Sequence, residues 1–251
     1  MSAKLVLSAL IGIVALSLAS PSHGQQVLRI GTNSNGAPWS FHDAASNSEK
    51  GIAVELITEV AKDAAFQIEF VPMSLNELIP ALNSNKTDII AANLLISPER
   101  KALIDFSDPI APGGDGLAAL KSDSTQYKTL EDLKGLAVGT QTGSPYGAIV
   151  QKSGLFPELK VYPDGQSAMR GVTTGEVKVA VVGANLAAYQ IKLGNFPSVQ
   201  LVKSWQPLFS SDDAFGVRKA DGELLKKVNA SLAKLKSNGT LKTILTKYGI
   251  E

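Results

Sequence analysis

A short stretch of the chain places a cation at a helix start, where the backbone already favours an anion. Ser97 and Pro98 are residue types typical of an N-cap and of a first helical position. Arg100 then falls in the first turn and opposes the helix dipole, at a cost of about 0.3–1 kcal/mol. A carboxylate held by two charge-assisted hydrogen bonds would remove this conflict. The alternative, which this stretch alone favours, is a surface arginine paired with Glu99 or Asp105.

A second helix start has the same composition. Ser144 and Pro145 follow an apolar strand predicted for residues 136–141. Ligands of open parallel sheets bind outside the carboxyl ends of the strands, where helix N-termini collect. Ser144 and Arg100 could therefore hold one anion from opposite sides of a cleft. Plain N-capping is the alternative for Ser144, and the residues by themselves favour it.

The elements that must position these residues alternate between strands and helices. The run from Ile89 to Ala92 is typical of a strand buried on both faces. Strand, helix, strand, helix and strand from Val27 onward predict a parallel sheet with right-handed crossovers. A Pro- and Gly-rich run at 111–116 suits a hinge or crossover better than a core element. A second α/β set follows, and a late strand at 214–218 would return the chain to the first set.

Two such sets joined near residue 112 predict an α/β protein with two lobes, each a parallel-rich sheet flanked by helices. We expect lobe 1 at residues 25–112 plus 215–251 and lobe 2 at 113–214. The return strand gives two crossings between them. The 251 residues, 44% of them hydrophobic and 19% charged, suit such a soluble protein.

The N-terminus has the pattern of a secretory signal peptide. Lys4 is followed by an apolar run from Leu5 to Leu18, and small residues lie near a cleavage position after Gly24. The apolar run is too short for a comfortable membrane span. We therefore expect residues 1–24 to be removed and the mature protein to be periplasmic.

The composition also limits the partners. Cleavage after Gly24 removes one lysine and no acid, so the mature chain is electrically balanced and nucleic acid is not an expected partner. The chain has no cysteine, which excludes disulfides and a lipid anchor on cysteine. We expect no cofactor and no metal ion, and we expect the protein to be a monomer.

Several motifs, in their order along the chain, carry a resemblance to a known family. They are Val27 to Asn33 (VLRIGTN), Ala37 to Phe41 (APWSF), Gly51 to Leu56 (GIAVEL), Asp88 to Pro109 (DIIAANLLISPERKALIDFSDP), Leu130 to Gly135 (LEDLKG), Val138 to Ser144 (VGTQTGS) and Asn238 to Leu241 (NGTL). Together they resemble the periplasmic polar amino acid binding proteins, the solute receptors of ABC importers. The resemblance covers nearly all of the mature chain, and the stretch from Asp88 to Pro109 is its most specific part.

The resemblance implies a bilobal receptor of the type II periplasmic binding protein fold, with two hinge strands, that closes on a small solute. An inner-membrane ABC permease would be its partner. Arg100 would bind the α-carboxylate of the ligand. It would be assisted by Ser144, by the backbone around Asn93 and, in most of the family, by a hydroxyl at the position of Leu95. Trp39 follows the first strand, near the family's cleft, and is as consistent with ligand contact as with the core.

The chain also departs from the family pattern. Gly183 stands where an acid usually neutralises the ammonium of the ligand, Leu95 replaces the hydroxyl, and aromatic residues are missing at Gly36 and Ile52. An ammonium buried without a carboxylate would be costly. Either another acid supplies the charge or the solute is a carboxylate without that ammonium. Candidate acids are Asp115, Asp212 and Asp213.

The leading interpretation is a soluble receptor for a small carboxylate-bearing solute, either a polar amino acid or a related organic acid. The first alternative is a dehydratase-like enzyme, since periplasmic dehydratases use the same fold. With no cysteine, one histidine in the mature chain and no paired acids after strand ends, we expect no enzyme. The second alternative is an accessory protein of a periplasmic dehydrogenase with a degenerate cleft.

Overall fold

The structure of the protein is a computed structural model that describes residues 27–250. The predicted signal peptide, residues 1–24, lies outside the described residues. The strands are β1 (Val27–Asn33), β2 (Asn35–Gly36), β3 (Ser40–Asp43), β4 (Ser48–Lys50), β5 (Gln67–Met73), β6 (Ile89–Ile90), β7 (Asp105–Phe106), β8 (Ala111–Leu120), β9 (Val138–Gln141), β10 (Leu159–Tyr162), β11 (Val179–Gly183), β12 (Val199–Leu201), β13 (Ser210–Asp213) and β14 (Gly216–Val217). The α-helices are α1 (Ile52–Asp63), α2 (Leu78–Asn83), α3 (Pro98–Leu103), α4 (Pro145–Lys152), α5 (Gly165–Thr174), α6 (Ala184–Lys192), α7 (Gly222–Ser237) and α8 (Thr240–Lys247), and a 3-10 helix spans Leu130–Leu133.

Lobe 1 is built around a five-stranded sheet in the order β5-β1-β6-β14-β7. Strand β1 pairs in parallel with β5 and β6, as the strand and helix alternation predicts. The short β14 lies between β6 and β7 and is antiparallel to both. The apolar faces of α1, α7 and α8 pack in one core cluster with this sheet. The carboxyl end of β6 leads directly into the segment that carries Arg100.

An ion network fixes the return of the chain to lobe 1. Asp88, at the entrance to β6, accepts hydrogen bonds from the backbone N, Nε and Nη2 of Arg29, each at 3.0 Å. Nη2 of Arg218, just after β14, donates to the same carboxylate at 3.1 Å. Burial raises the pKa of Asp88, but these donors outweigh it and the pKa is lowered overall. The last strand is thereby tied to the first.

Lobe 2 is built around a second sheet in the order β10-β9-β11-β8-β12, with β13 also paired to β8. Strands β9, β10 and β11 are parallel, whereas β8 runs antiparallel to β11. The run at 111–116 was expected to suit a hinge better than a core element, and this expectation was too narrow. It begins a ten-residue strand whose later part is an inner strand of the sheet.

The connection between the lobes passes through β8 and β13. In this pair Asp213 lies opposite Ala111, and an isolated bridge joins Asp213 to Leu95. The first residues of β8 therefore serve as a hinge, and the same strand continues into the lobe 2 core. No helix among residues 27–250 is long and apolar enough to cross a membrane.

Candidate ligand-binding site

Arg100 lies at the boundary between the lobes. The Ser97 side chain caps α3 by accepting a hydrogen bond from the backbone N of Arg100 at 3.3 Å, as the sequence predicts. The guanidinium donates through Nη1 to the carbonyl of Leu95 at 2.6 Å and through Nη2 to the carbonyl of Gly143 at 2.8 Å. The second bond crosses from lobe 1 to lobe 2. The surface pairing with Glu99 or Asp105 does not form, because the guanidinium is buried on these carbonyls.

The positive charge of Arg100 is poorly compensated. The residue is only 8% exposed, and its hydrogen-bond acceptors among residues 27–250 are neutral carbonyls. Burial lowers its pKa to about 10, and the charges of Asp213, Tyr146 and Glu99 act weakly in the opposite direction. A buried cation in this state is stabilised by any anion that reaches it.

The three acids proposed as replacements for the one missing at residue 183 differ in availability. Asp115 is buried and accepts from the indole N of Trp205 at 2.9 Å and from the backbone N of Phe209 and Leu208 at 2.8 and 3.2 Å. Donors within lobe 2 therefore already occupy the carboxylate of Asp115. Asp212 is half-buried on the outer side of the hinge pair.

Asp213 is the unusual member of the three. It is 1% exposed, and neither carboxylate oxygen has a hydrogen-bond donor among the described residues. Burial raises its pKa well above the usual range, and the nearby charge of Arg100 offsets this only in part. A Cβ added to Gly113 would meet Oδ2 of Asp213 and Cδ2 of Leu95, each at 2.6 Å. The carboxyl group therefore lies against the hinge strand, beside the Leu95 side chain.

Ser144 has the N-cap position that the sequence predicts. Its Oγ accepts from the backbone N of Gly147 at 3.0 Å and donates to the carbonyl of Gln141 at 3.2 Å. Burial raises the pKa of the Tyr146 hydroxyl, two residues further along the chain, and Ser144 acts on that pKa in the opposite direction. Tyr146 was missed from the sequence. The available signal was an aromatic residue in the first turn after Ser-Pro, where a helix faces the cleft.

Gly183 ends β11, directly before α6, on the lobe 2 side of the cleft. A Cβ added there would lie 3.4 Å from the hydroxyl of Tyr146 and 3.7 Å from Nδ2 of Asn93, which are ordinary contact distances. The backbone has φ −59° and ψ 124°, which any residue can adopt. Neutral polar groups from both lobes therefore surround the place where an acid would stand.

Leu95 and Trp39 have apolar surroundings. Leu95 follows β6 in the chain. Its side chain packs in the apolar cluster of lobe 2, with Leu117, Tyr146 and Trp205. Trp39 is fully buried in the core of lobe 1 and lies away from the cleft lining. The indole ring is covered by its own lobe in this closed form, and ligand contact by Trp39, which the sequence left open, stays a prediction.

The lobes are closed on each other. The cavity between them has a volume of about 10 Å³, roughly the space of one water molecule. Its lining comprises Asn33, Asn35, Gly36, Leu75, Asn93, Gln141, Tyr146, Pro163, Asp164, Gly165, Gly183 and Leu186. Hydrogen bonds also link the lobes, from Asn35 to Asp164 at 3.4 Å and from Asn185 to the carbonyl of Pro112 at 3.2 Å.

The predicted site residues divide between two spaces. Asn93 and Gly183 line the small cavity. Arg100 and Ser144 border a wider crevice of about 460 Å³ between α3 and α4. Tyr146 relates the two groups, since it follows Ser144 in the first turn of α4 and its hydroxyl lies 3.4 Å from a Cβ placed on Gly183. Among residues 27–250, no three His, Cys, Asp or Glu side chains cluster in a way that could hold a metal ion.

Two α/β lobes, a double hinge and a polar cleft between the lobes define a two-lobed solute-binding protein. The family model for bacterial extracellular solute-binding proteins, family 3, matches residues 28–251, and the chain belongs to this family. The family and the two-lobed α/β fold predicted from the sequence are thereby confirmed.

Individual relatives and structures agree with this assignment. The chain is 30% identical to the histidine-binding periplasmic protein of Escherichia coli (strain K12), over 98% of this chain and 96% of that protein. A structure of an ancestral arginine-binding protein bound to arginine matches with a TM-score of 0.82 and 32% identity, covering 90% of this chain and 100% of the other. The ancestral amino acid-binding protein AncCDT-1, a precursor of cyclohexadienyl dehydratase, matches with a TM-score of 0.78 and 31% identity, covering 88% and 95%.

Proposed function

We propose that this protein is the periplasmic receptor of an ABC importer, that it binds a small carboxylate-bearing solute between its lobes, and that it presents the closed form to an inner-membrane permease. The observation that carries the proposal is the guanidinium of Arg100, which is buried at the lobe boundary and donates to one carbonyl from each lobe. Membership of a solute-binding family supports the same role.

The proposed mechanism follows from the charge of this group. A carboxylate offers Arg100 stronger, charge-assisted hydrogen bonds than the neutral carbonyls of Leu95 and Gly143 can. Because Gly143 belongs to lobe 2, opening of the lobes removes one of the present partners. A solute that contacts Arg100 from one lobe and Ser144 from the other binds the closed form better than the open form, and so shifts the population toward closure.

Different observations bear on the two alternative functions, an accessory protein and an enzyme. The 10 Å³ cavity favours an accessory protein that has lost its ligand, because no solute larger than water fits beside Asn93 and Gly183 without movement of the lobes. The match to AncCDT-1 supports an enzyme only by analogy of fold. Within the described residues the cavity lining contains one ionisable carboxylate, Asp164, which caps α5 by accepting from the backbone N of Ser167. A receptor requires no acid and base pair, and so fits this lining better than an enzyme does.

Substitution of Arg100 tests the proposal. We expect Arg100→Ala to weaken binding of small carboxylates by about 1.5–3 kcal/mol, or 10- to 150-fold, because the charge-assisted contact is lost. Arg100→Lys should recover part of the affinity, since a point charge replaces a two-pronged one. Isothermal titration calorimetry on refolded protein, with a panel of organic acids and amino acids, provides the measurement.

Arg170→Ala is the matched control, because Arg170 is an exposed arginine on α5 whose guanidinium bonds only Ser167. Its affinity should equal that of the unsubstituted protein. Equal affinity in Arg100→Ala would remove this residue from the site. Failure of the unsubstituted protein to bind any acid of the panel would favour the accessory protein, and chemical conversion of a bound acid would favour the enzyme.

A further inference from the structure

The surroundings of Gly183 bear on the second polar group of the solute. The nearest side-chain polar atoms to a Cβ placed on Gly183 are the hydroxyl of Tyr146 and Nδ2 of Asn93. Both groups are neutral, and both can donate hydrogen bonds. An ammonium has three donors and no acceptor, so its burial here would leave a charge without a counter-charge. A hydroxyl or carbonyl oxygen would instead accept from these donors.

Other acids near the cleft do not supply the missing charge. Asp115 lies opposite Gly183 on the neighbouring strand, but three donors from lobe 2 already use its oxygens. Asp213 packs against the hinge at Gly113 and does not line the cavity. Asp164 lines the same cavity as Gly183, but its Oδ1 caps α5 and its Oδ2 accepts from Asn35 of the facing lobe. Asp115 and Asp164 therefore already have hydrogen-bond donors within the protein, and Asp213 lies outside the cavity lining.

The size of the cavity indicates a compact solute. About 10 Å³ remains in the cavity that Gly183 lines, and Tyr146 and Leu186 occupy space there that smaller side chains would leave open. A ligand with a long side chain would hold the lobes far from the contacts described above. The guanidinium of Arg100 bonds the carbonyl of Gly143, and the hydroxyl of Tyr146, three residues further along the chain, lies 3.4 Å from a Cβ placed on Gly183, so one short molecule can span the two.

From these contacts we propose that the solute is a small 2-hydroxy or 2-oxo acid, and that Asn93 and Tyr146 select it over the amino acid of the same skeleton. Its carboxylate binds Arg100, and its neutral oxygen lies beside Gly183, where the amide of Asn93 and the hydroxyl of Tyr146 donate to it. This inference rests on the proposed receptor function. Three positions would then distinguish a hydroxyl, a carbonyl and an ammonium on the second carbon of the solute. Two of them, Tyr146 and Gly183, lie in lobe 2, and Asn93 lies in lobe 1.

Three ligands with one carbon skeleton test the inference. Lactate, pyruvate and alanine differ only in the group on the second carbon, and calorimetry on the refolded protein compares their affinities. We expect lactate or pyruvate to bind at least 100-fold more tightly than alanine. The series is repeated with the four- and five-carbon acids, in case a slightly longer skeleton binds best. A preference for the amino acid at any chain length would overturn the inference.

Gly183→Asp should reverse this preference. The backbone conformation accepts a side chain, and the contact distances of 3.4 and 3.7 Å leave room for a Cβ, so the variant should fold. We expect alanine to gain at least tenfold in affinity and pyruvate to lose at least tenfold, because the new carboxylate attracts an ammonium and repels a carbonyl oxygen, which can only accept. Gly183→Asn is the matched control of equal size without charge, and it should not gain affinity for alanine.

Asp164→Asn and Asp213→Asn test the remaining acids. Both should leave the order of the three ligands unchanged, and loss of amino acid binding in either variant would overturn the inference. Thermal unfolding of every variant verifies that it folds. If no acid of any class binds the unsubstituted protein, the receptor function itself fails. If amino acids bind through Arg100, only the inference about Gly183 fails.

Discussion

Asp213 is a buried carboxyl group that the folded protein leaves without a hydrogen-bond donor among the described residues. Burial raises its pKa, so the folded state keeps the proton over a pH range in which the unfolded chain, with a pKa of about 4, has released it. In that range the folded state binds more protons than the unfolded state. The contribution of Asp213 to stability therefore decreases as the pH rises above about 4.

We expect Asp213→Asn to remove this pH dependence. The amide has the same shape and no charge, so the variant should be more stable than the unsubstituted protein by about 1 kcal/mol or more at pH 8, with a smaller difference near pH 4. Urea unfolding between pH 4 and 8 measures it. Asp123→Asn is the control, because burial of that carboxylate is outweighed by Lys178, Thr125 and Tyr127, its pKa is lowered overall, and the amide should destabilise. Equal destabilisation by both substitutions would contradict the account of Asp213.

At the scale of elements, the packing of the first residues of β8 requires small side chains. Gly113 does not need glycine for its backbone angles, but Oδ2 of Asp213 and Cδ2 of Leu95 lie where a Cβ would be. We expect Gly113→Ala to lower the free energy of unfolding by about 1–3 kcal/mol, because the hinge strands must move apart. Gly222→Ala, at the start of α7 in open space, is the control and should be neutral or slightly stabilising. Thermal or urea unfolding distinguishes the two, and similar values for both would show that the hinge tolerates a methyl group.

Local patterns predicted most elements of this fold, since helix caps and apolar periodicity lie within one segment. Ser97 and Ser144 begin helices as their residue types indicate. Strand β8 was interpreted only as a hinge, because its glycines and proline are poor strand formers and its pairing with β11 and β12 comes from distant residues. The short strands β2 to β4 were missed because runs of two to four residues are too short to show an alternating pattern.

The candidate site was less predictable than the fold. Arg100 and Ser144 could be located because each stands at a sequence-coded helix start. The neutral surroundings of Gly183 could not, because they are formed by Asn93 and Tyr146 from different lobes. The burial of Asp213 likewise depends on a strand pair whose partners are about a hundred residues apart in the chain. Contacts of this kind have no local signal in a single sequence.

At the scale of the whole molecule, one leucine bridges the lobes. Leu95 comes from lobe 1 but packs in the apolar cluster of lobe 2, where it is 3% exposed. Burial of a leucine side chain contributes about 1.5–3 kcal/mol, which favours the closed form without any solute. Replacement by a polar residue should therefore shift the protein toward the open form by about 10- to 150-fold in the ratio of the two.

Leu95→Ser tests this contribution. We expect a larger radius of gyration by small-angle X-ray scattering, since the apolar contact that holds the lobes together is weakened. Leu103→Ser, at an exposed leucine on α3, should leave the radius unchanged because its side chain is 54% exposed. An unchanged radius in Leu95→Ser would indicate that the hydrogen bonds between the lobes hold the closed form by themselves.

The position of β14 also determines when the protein can finish folding. This strand fills the gap between β6 and β7, although it is synthesised after more than a hundred intervening residues. A growing polypeptide can complete the sheet of lobe 2 earlier, whereas the sheet of lobe 1 lacks an interior member until residues 216–217 have left the ribosome. The N-terminal half therefore stays incompletely folded until most of the polypeptide has been synthesised.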